Sequence, residues 1–315
     1  MLRYIFQRFL IIIPLLFVVA ILSFLLVDLI PGSAAETMLG DQATPENVAA
    51  LEEQMGLNDP FFERFGRWFS RALVGDLGVG IRTEVPVSEM LWQRLPATLS
   101  IVSGGLFIGI VIGLSSGIWA ALRPGSTLDR SITVLTSVTV AIPSFWLGLM
   151  LAIWFGVERD WFPAIGYAPL TEEGLYQWAR HITLPSLALA FPTAALISRQ
   201  TRSSMTHVLQ SKYVQAARAN GLPRRRIVQR HVLRNAMIPV VTVIGFRVSV
   251  SIGQAFVVER VFALGGVGEL LADAVLKQDV PVIQGGLLLT AVIVAITSLL
   301  VDVSYALLNP KVRLS

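Results

Sequence analysis

Uninterrupted apolar runs, rather than alternation or a one-sided helical stripe, set the rhythm of this chain. A helix crossing a hydrocarbon core about 30 Å thick needs about 20 mostly apolar residues, and six segments meet or approach that length. The first is Phe9 to Ile30, whose only charge is Asp28 at the far end. The residues between Arg94 and Arg123, and those between Arg130 and Glu158, contain no Asp, Glu, Lys or Arg. A fourth run, between Arg180 and Arg199, has 18 residues and holds Pro185 and Pro192, so it is expected to be short and bent. The fifth covers about 236–258 with Arg247 in its middle, and the sixth runs from Val280 past Asp302 to about Leu308. The expected class is an all-α membrane protein with six transmembrane helices. It divides into 1–30 (tail and first span), 31–96 (a polar helical region) and 97–315. The last part carries spans at about 97–122, 132–157, 181–198, 236–258 and 280–308. The first span is preceded by Arg3 and Arg8 and followed by Ser33-Ala34-Ala35, as a cleavable signal would be. A signal's apolar region is usually 7–15 residues; this one is 22, so a retained anchor is expected.

Composition agrees. Of the 315 residues, 54% are hydrophobic and 15% charged, with a mean hydropathy of +0.67. A soluble globular protein carries roughly 25% charged residues, so an ordinary water-soluble enzyme is excluded. There is no cysteine, hence no disulfide framework, thiolate metal site or cysteine nucleophile. The net charge of +4 and pI near 9.7 raise the question of nucleic acid, but the distribution of charge answers it. With six spans, the N-terminal tail, the loop around 123–130, the connector 199–234 and the C-terminal tail share one side. They hold fifteen Lys or Arg, including Lys311 and Arg313, and one acid, Asp129. The opposite segments hold nine basic and eighteen acidic residues. Basic residues resist translocation, so the first set, with both termini, is expected in the cytoplasm. The basic pI reports topology; no nucleic-acid partner is expected.

Two polar stretches are too long to be simple connectors. In 31–96, which lies outside on this reading, Thr44-Pro45 forms a helix start and Gly56 suits a helix end. Asp59-Pro60 repeats the start before Phe61, Phe62, Phe65, Trp68 and Phe69, an apolar stripe at helical spacing. A small extracytoplasmic helical cap is expected there, compatible with docking of an external partner. The connector holds nine Lys or Arg and no acid. Inside it, Tyr213-Val214-Gln215-Ala216-Ala217-Arg218-Ala219-Asn220-Gly221 predicts a short, slim helix stopped by Gly221, before Leu222-Pro223 restarts a basic helix.

Within the spans, Gly105, Gly109, Gly113 and Gly117 recur every four residues, and Gly245, Ser249 and Gly253 repeat the spacing. Small residues at that interval let a neighbouring helix approach closely, which predicts packing seams; a substrate-lining face is the alternative for the first, a contact with a second subunit or the gate for the second. Pro143 and Pro192 are candidate bends around a pathway. Arg247 costs about 2.5 kcal/mol or more at a span centre, so it is expected to face the bundle interior, either lining a pathway or making a structural pair. Asp28 and Asp302 lie near span ends and receive no transport role. Gly113-x-Ser115-x-Gly117 matches a hydrolase elbow, which needs a strand–turn–helix context absent here. His181, His207 and His231 have no metal spacing, and no metal site is expected. A phosphate-binding loop needs Gly-Lys-Ser/Thr, yet Lys212, Lys277 and Lys311 follow Ser211, Leu276 and Pro310.

The connector motif resembles the "EAA" loop of membrane subunits of ABC importers: Gln215-Ala216-Ala217, three residues, Gly221, nine residues, then His231-x-Leu233. Gln215 replaces Glu, His231 replaces Ile and Arg234 replaces Pro of the general signature, departures that resemble the dipeptide/oligopeptide/nickel branch. Gly75-Asp76-Leu77-Gly78, Arg94-Leu95-Pro96-Ala97-Thr98-Leu99, Leu233-Arg234-Asn235-Ala236-Met237-Ile238-Pro239, Gly265-Gly266-Val267-Gly268 and Leu308-Asn309-Pro310-Lys311 extend that resemblance along the chain. It implies a type I importer permease fold and a non-catalytic subunit in the cell inner membrane. The implied partners are a second homologous permease, two cytoplasmic ATP-binding subunits and an extracytoplasmic solute-binding protein. ATP and Mg would belong to the ATP-binding subunits, and this chain would bind no cofactor. Residues 213–219 and Gly221 would be the coupling helix, and the substrate a di- or oligopeptide. Nickel or glutathione within the branch, and an ion-coupled secondary transporter outside it, are the alternatives.

Overall fold

The computed structural model describes residues 2–28, 36, 39, 43–54, 56 and 58–308. Ile30–Gly32, Ser33–Ala35 and the tail from Asn309 lie outside the described residues, as do the side chains of Arg3, Arg8, Asp28 and Asp302. Apart from one antiparallel bridge, Val79 with Pro86, every regular element among the described residues is helical. In chain order these are α1 (Leu2–Asp28), α2 (Pro45–Gln54), α3 (Phe61–Leu73), α4 (Val87–Leu122), α5 (Thr127–Ala141) and α6 (Ser144–Val157). There follow α7 (Leu170–Leu209), α8 (Lys212–Ala219), α9 (Arg224–Phe262), α10 (Val267–Leu276) and α11 (Val280–Leu308).

Among the described residues, four helices are long and apolar enough to cross a membrane: α4, α7, α9 and α11. A fifth span results if α5 and α6 count as one, but they meet at a bend of 101°. The 132–157 segment is therefore not one straight helix. Ile142 is extended and Pro143 starts α6, because proline disfavours helical geometry in the residue before it. In α1 the described apolar stretch, Phe9–Leu25, is shorter. The expected 181–198 helix instead spans Leu170–Leu209; its backbone break lies at Gly174 (φ 77°, ψ 170°), not at Pro185 or Pro192.

The chain forms two compact units, one mainly of 97–265 and the other of 6–96 with 266–296. In the second, α3 lays its aromatic face on α1. Phe65 meets Phe17 and Phe24 edge to face at 5.8 and 5.6 Å, and Phe61 meets Phe24 at 5.5 Å. Such pairs add about 0.5–1.5 kcal/mol each beyond simple burial. Thr44 caps α2 through the Asn47 N–H (3.3 Å), as its position predicts. Asp59 does not cap α3; its carboxylate pairs with Arg67 at 2.7 Å.

The first unit is organised around α7. Of its apolar window 72% is buried, against 33–39% in the other three long spans, so α7 is the central helix. Four glycines of α4 face it. A Cβ on Gly105, Gly109, Gly113 or Gly117 would approach the carbonyls of Ser186, Ala190, Ala194 and Ser198 to 3.1, 3.0, 2.8 and 2.6 Å. Each helix thus offers a small residue every four positions, and the backbones touch. Gly245 and Ser249 face α11 of this same chain, through Val301 and Ser298, while nothing among the described residues lies within 4 Å of a Cβ at Gly253. That second row is no single seam. Ser115 of the elbow-like motif is a helical residue whose hydroxyl donates back to the Val111 carbonyl at 2.6 Å.

Candidate functional site

The connector between α7 and α9 carries the candidate site. Gln210 and Ser211 end α7 and turn the chain into α8. At the other end the Leu222 N–H bonds the Ala217 carbonyl (3.2 Å) and the Gly221 N–H bonds that of Arg218 (3.0 Å). These are the two bonds of a Schellman stop, which requires a left-handed residue; Gly221 supplies it at φ +75°. Among the described residues a Cβ at Gly221 would meet nothing within 4 Å, so substitution there adds backbone strain of about 1 kcal/mol.

One face of α8 is rooted. Val214 is fully buried in a cluster with Ala121, Met205, Ile227, Val232 and Ala236, and Ala217 packs against it. The Tyr213 hydroxyl accepts a bond from Asn235 Nδ2 at 2.9 Å, tying α8 to α9. The other face is open: Gln215, Ala216, Arg218 and Ala219 are exposed and Tyr213 is 45% exposed. Of the eight residues expected to couple, Val214 is the one whose side chain is fully buried. The remainder is a slim rod standing on a packed base.

The base has a polar lock that sequence reasoning missed. Asp129, 3% exposed, receives both Arg202 Nε and Arg202 Nη2 (the latter at 2.8 Å) and the Gly125 N–H at 2.9 Å. The Ser126 hydroxyl caps α5 by accepting the Asp129 N–H. Arg202's hydrogen bonds hold the Asp129 carboxyl, which precedes the apolar segment starting at 132, below its ordinary value, and burial opposes them. Arg224 donates to the Leu122 carbonyl at 2.8 Å, closing the end of α4. The available signal was that Asp129 is the lone acid among the fifteen bases, within a Ser-x-x-Asp capping pattern. We predict that Arg202→Ala, which strips a buried carboxylate of its cation, costs about 2 kcal/mol. The figure is below that for a fully buried pair because Arg202 is 39% exposed. Faster proteolytic cleavage of the 123–130 loop in the folded protein checks it; an unchanged rate contradicts it.

Arg247 is 4% exposed and donates to the Thr193 hydroxyl (3.3 and 3.0 Å) and to Gln254 Oε1 (3.0 Å). It thus joins α9 to α7 beside Pro192, which is buried, whereas Pro143 sits exposed at the α5–α6 break. No cluster of three or more metal-ligating side chains occurs among the described residues.

Comparison with known proteins adds the family. Residues 94–314 match the family described as binding-protein-dependent transport system inner membrane component, and 1–102 match its N-terminal counterpart. The chain belongs to this family. The permease is 36% identical to a dipeptide transport system permease protein of Alkalihalophilus pseudofirmus, over 99% of this chain and all of that one. It is 35% identical to an oligopeptide transport system permease protein of Bacillus subtilis, over 99% and 100%. It is also 36% identical to a glutathione transport system permease protein of Escherichia coli, over 99% of both. Among solved structures, an inward-facing MetNI methionine ABC transporter aligns with a TM-score of 0.58 at 19% identity, covering 70% of this permease and 96% of that chain. That likeness concerns fold: a helical importer permease core.

Proposed function

We propose that this permease is the membrane-spanning, non-catalytic subunit of an ATP-driven importer of di- or oligopeptides. The observation that carries the reading is α8, an exposed Ala-rich rod rooted by Val214 in the cluster that joins α4, α7 and α9. A force applied to Tyr213, Gln215, Ala216, Ala217, Arg218, Ala219 or the Gly221 stop is passed to three spans at once. Cytoplasmic ATP-binding subunits supply that force, a second permease completes the passage and an external solute-binding protein delivers the peptide. The peptide class rests on the names of the dipeptide and oligopeptide relatives; the glutathione relative keeps a small peptide thiol as the second reading. In this account α1 supplies the sixth span, 31–96 forms the outer cap, and both termini and α8 lie in the cytoplasm.

Arg247 acts as a tie between α7 and α9 rather than as a cation facing the substrate, since its donors meet Thr193 and Gln254. Arg247→Gln is expected to lower thermal stability while leaving the substrate concentration for half-maximal transport unchanged. A shift in that concentration alone would return Arg247 to the pathway together with Pro192 and Pro143.

The function is tested by reconstitution. Vesicles holding this permease, its second permease, the ATP-binding subunits and the solute-binding protein are expected to accumulate labelled dipeptide only with ATP. Accumulation by this chain alone, without nucleotide, contradicts the proposal.

A further inference from the structure

The first turns of α9 contain an arrangement that coupling does not use. Residues Ile227–Val232 form a π-helical turn, five residues per hydrogen-bonded step in place of four. The buried side of the helix records the insertion, because Ile227, Val232 and Ala236 are spaced by five and then four. Arg225, Arg230 and Arg234 follow the same spacing, each two residues earlier. Two residues are about 200° of helical rotation, so this row stands on the face opposite the buried one. In an uninterrupted α-helix Arg225 and Arg230 would diverge by about 140°; the π turn brings them into line. All three are exposed, and their side chains make no hydrogen bond or ion pair among the described residues. The whole stretch 199–234 contains no acid to neutralise them.

The row leads straight into a span. Arg234 lies two residues, and Arg230 six, before the apolar segment that starts at Ala236, within about 9 Å at the helical rise. The headgroup layer is about 5–8 Å deep on each side, so Arg234 lies within it and Arg230 at its outer edge. Arg225 stands one more turn out, from which its long side chain reaches back toward the phosphates. Retention of basic residues on the cytoplasmic side explains their number but not their alignment. We infer that Arg225, Arg230 and Arg234 form a binding row for anionic phospholipid headgroups, with the π turn as the element that assembles it. The inference rests on the proposed function only in taking this face as cytoplasmic. The chemistry is guanidinium to phosphate, which favours headgroups with net negative charge over zwitterionic ones. Held in this way, the start of α9, and with it the packed base on which α8 stands, is tied to the bilayer surface.

The test uses the full permease complex in phosphatidylcholine nanodiscs containing a fraction of phosphatidylglycerol. Spin-labelled phosphatidylglycerol and spin-labelled phosphatidylcholine report the motionally restricted, protein-bound fraction of each lipid. The native protein is expected to prefer the anionic label, and the preference to fall as salt is raised. Each arginine removed lowers it on the order of fivefold at low salt, so R225Q/R230Q/R234Q loses most of it. The charge-conserving R225K/R230K/R234K keeps most of it, which separates loss of charge from loss of fold. Equal binding of both labels by the native complex overturns the inference, as does a preference that survives the triple glutamine variant. It is also overturned if that variant sheds ATP-binding subunits with its lipid preference intact, since the row would then meet protein. The side of the membrane is tested separately: the chain has no cysteine, so Gln229→Cys is a unique label site. Reaction with an impermeant maleimide in intact cells would refute the cytoplasmic assignment without touching the headgroup measurement.

Discussion

Replacing Gly113 with leucine is expected to prevent the permease from folding into a stable complex. The reason is geometric. A Cβ there would lie 2.8 Å from the Ala194 carbonyl and 2.7 Å from Ile197 Cβ, and a backbone carbonyl cannot rotate away as a long side chain can. The α4 and α7 backbones must separate, and the same seam runs through Gly105, Gly109 and Gly117, so strain at one position opens the others. Overpacking of this kind costs about 3 kcal/mol, roughly a hundredfold in the ratio of native to non-native protein. The yield of monodisperse complex by size-exclusion chromatography is the readout. Gly66→Leu on α3 is the control, because among the described residues a Cβ at Gly66 meets nothing within 4 Å. Equal yields for the two variants would mean that the seam does not hold the first unit together.

The second large effect is functional and leaves the chain itself intact. Ala216→Arg adds a long side chain to the open face of α8, at a residue that is exposed. Exposed substitutions of this sort usually stay within about 0.5 kcal/mol of neutral, so expression and thermal stability should be unchanged. Docking is another matter. A slim rod that enters a groove cannot do so with a guanidinium at its centre, and disruption at an interface centre costs about 2 kcal/mol or more, roughly thirtyfold in affinity. The expected result is normal membrane insertion with ATP-binding subunits lost on purification and dipeptide uptake abolished. Retained uptake would remove Ala216 from the contact.

What the sequence made readable divides along physical lines. Features governed by local periodicity were legible: the apolar runs that became α4, α7, α9 and α11, the Gly221 stop, and the four-residue glycine row on α4. Each is written in consecutive residues and needs no knowledge of the partner helix. Features that depend on where two distant segments meet were not. Asp129 was visible as a lone acid, but its pairing with Arg202 spans 73 residues. Gly245 and Ser249 had the right spacing for a seam, yet only the fold reveals that they face α11 while Gly253 meets none of the described residues. The prolines divided: Pro143, a candidate bend, stands at the 101° turn between α5 and α6, whereas Pro185 and Pro192 sit inside α7, whose backbone break lies at Gly174. The π turn in α9 has no sequence signature, and so neither did the arginine row it aligns.

Because the permease contains no native cysteine, the role of α8 can be read by site-directed cross-linking in the assembled complex. Ala216→Cys, on the open face, is predicted to form an adduct with an ATP-binding subunit when labelled with benzophenone maleimide and irradiated. The thiol takes the maleimide, and the photoactivated ketone inserts into a C–H bond of whatever lies against it. Val214→Cys, on the buried face, is predicted to form none. An active complex in which Ala216→Cys yields no such adduct, or in which both positions react alike, would contradict the account.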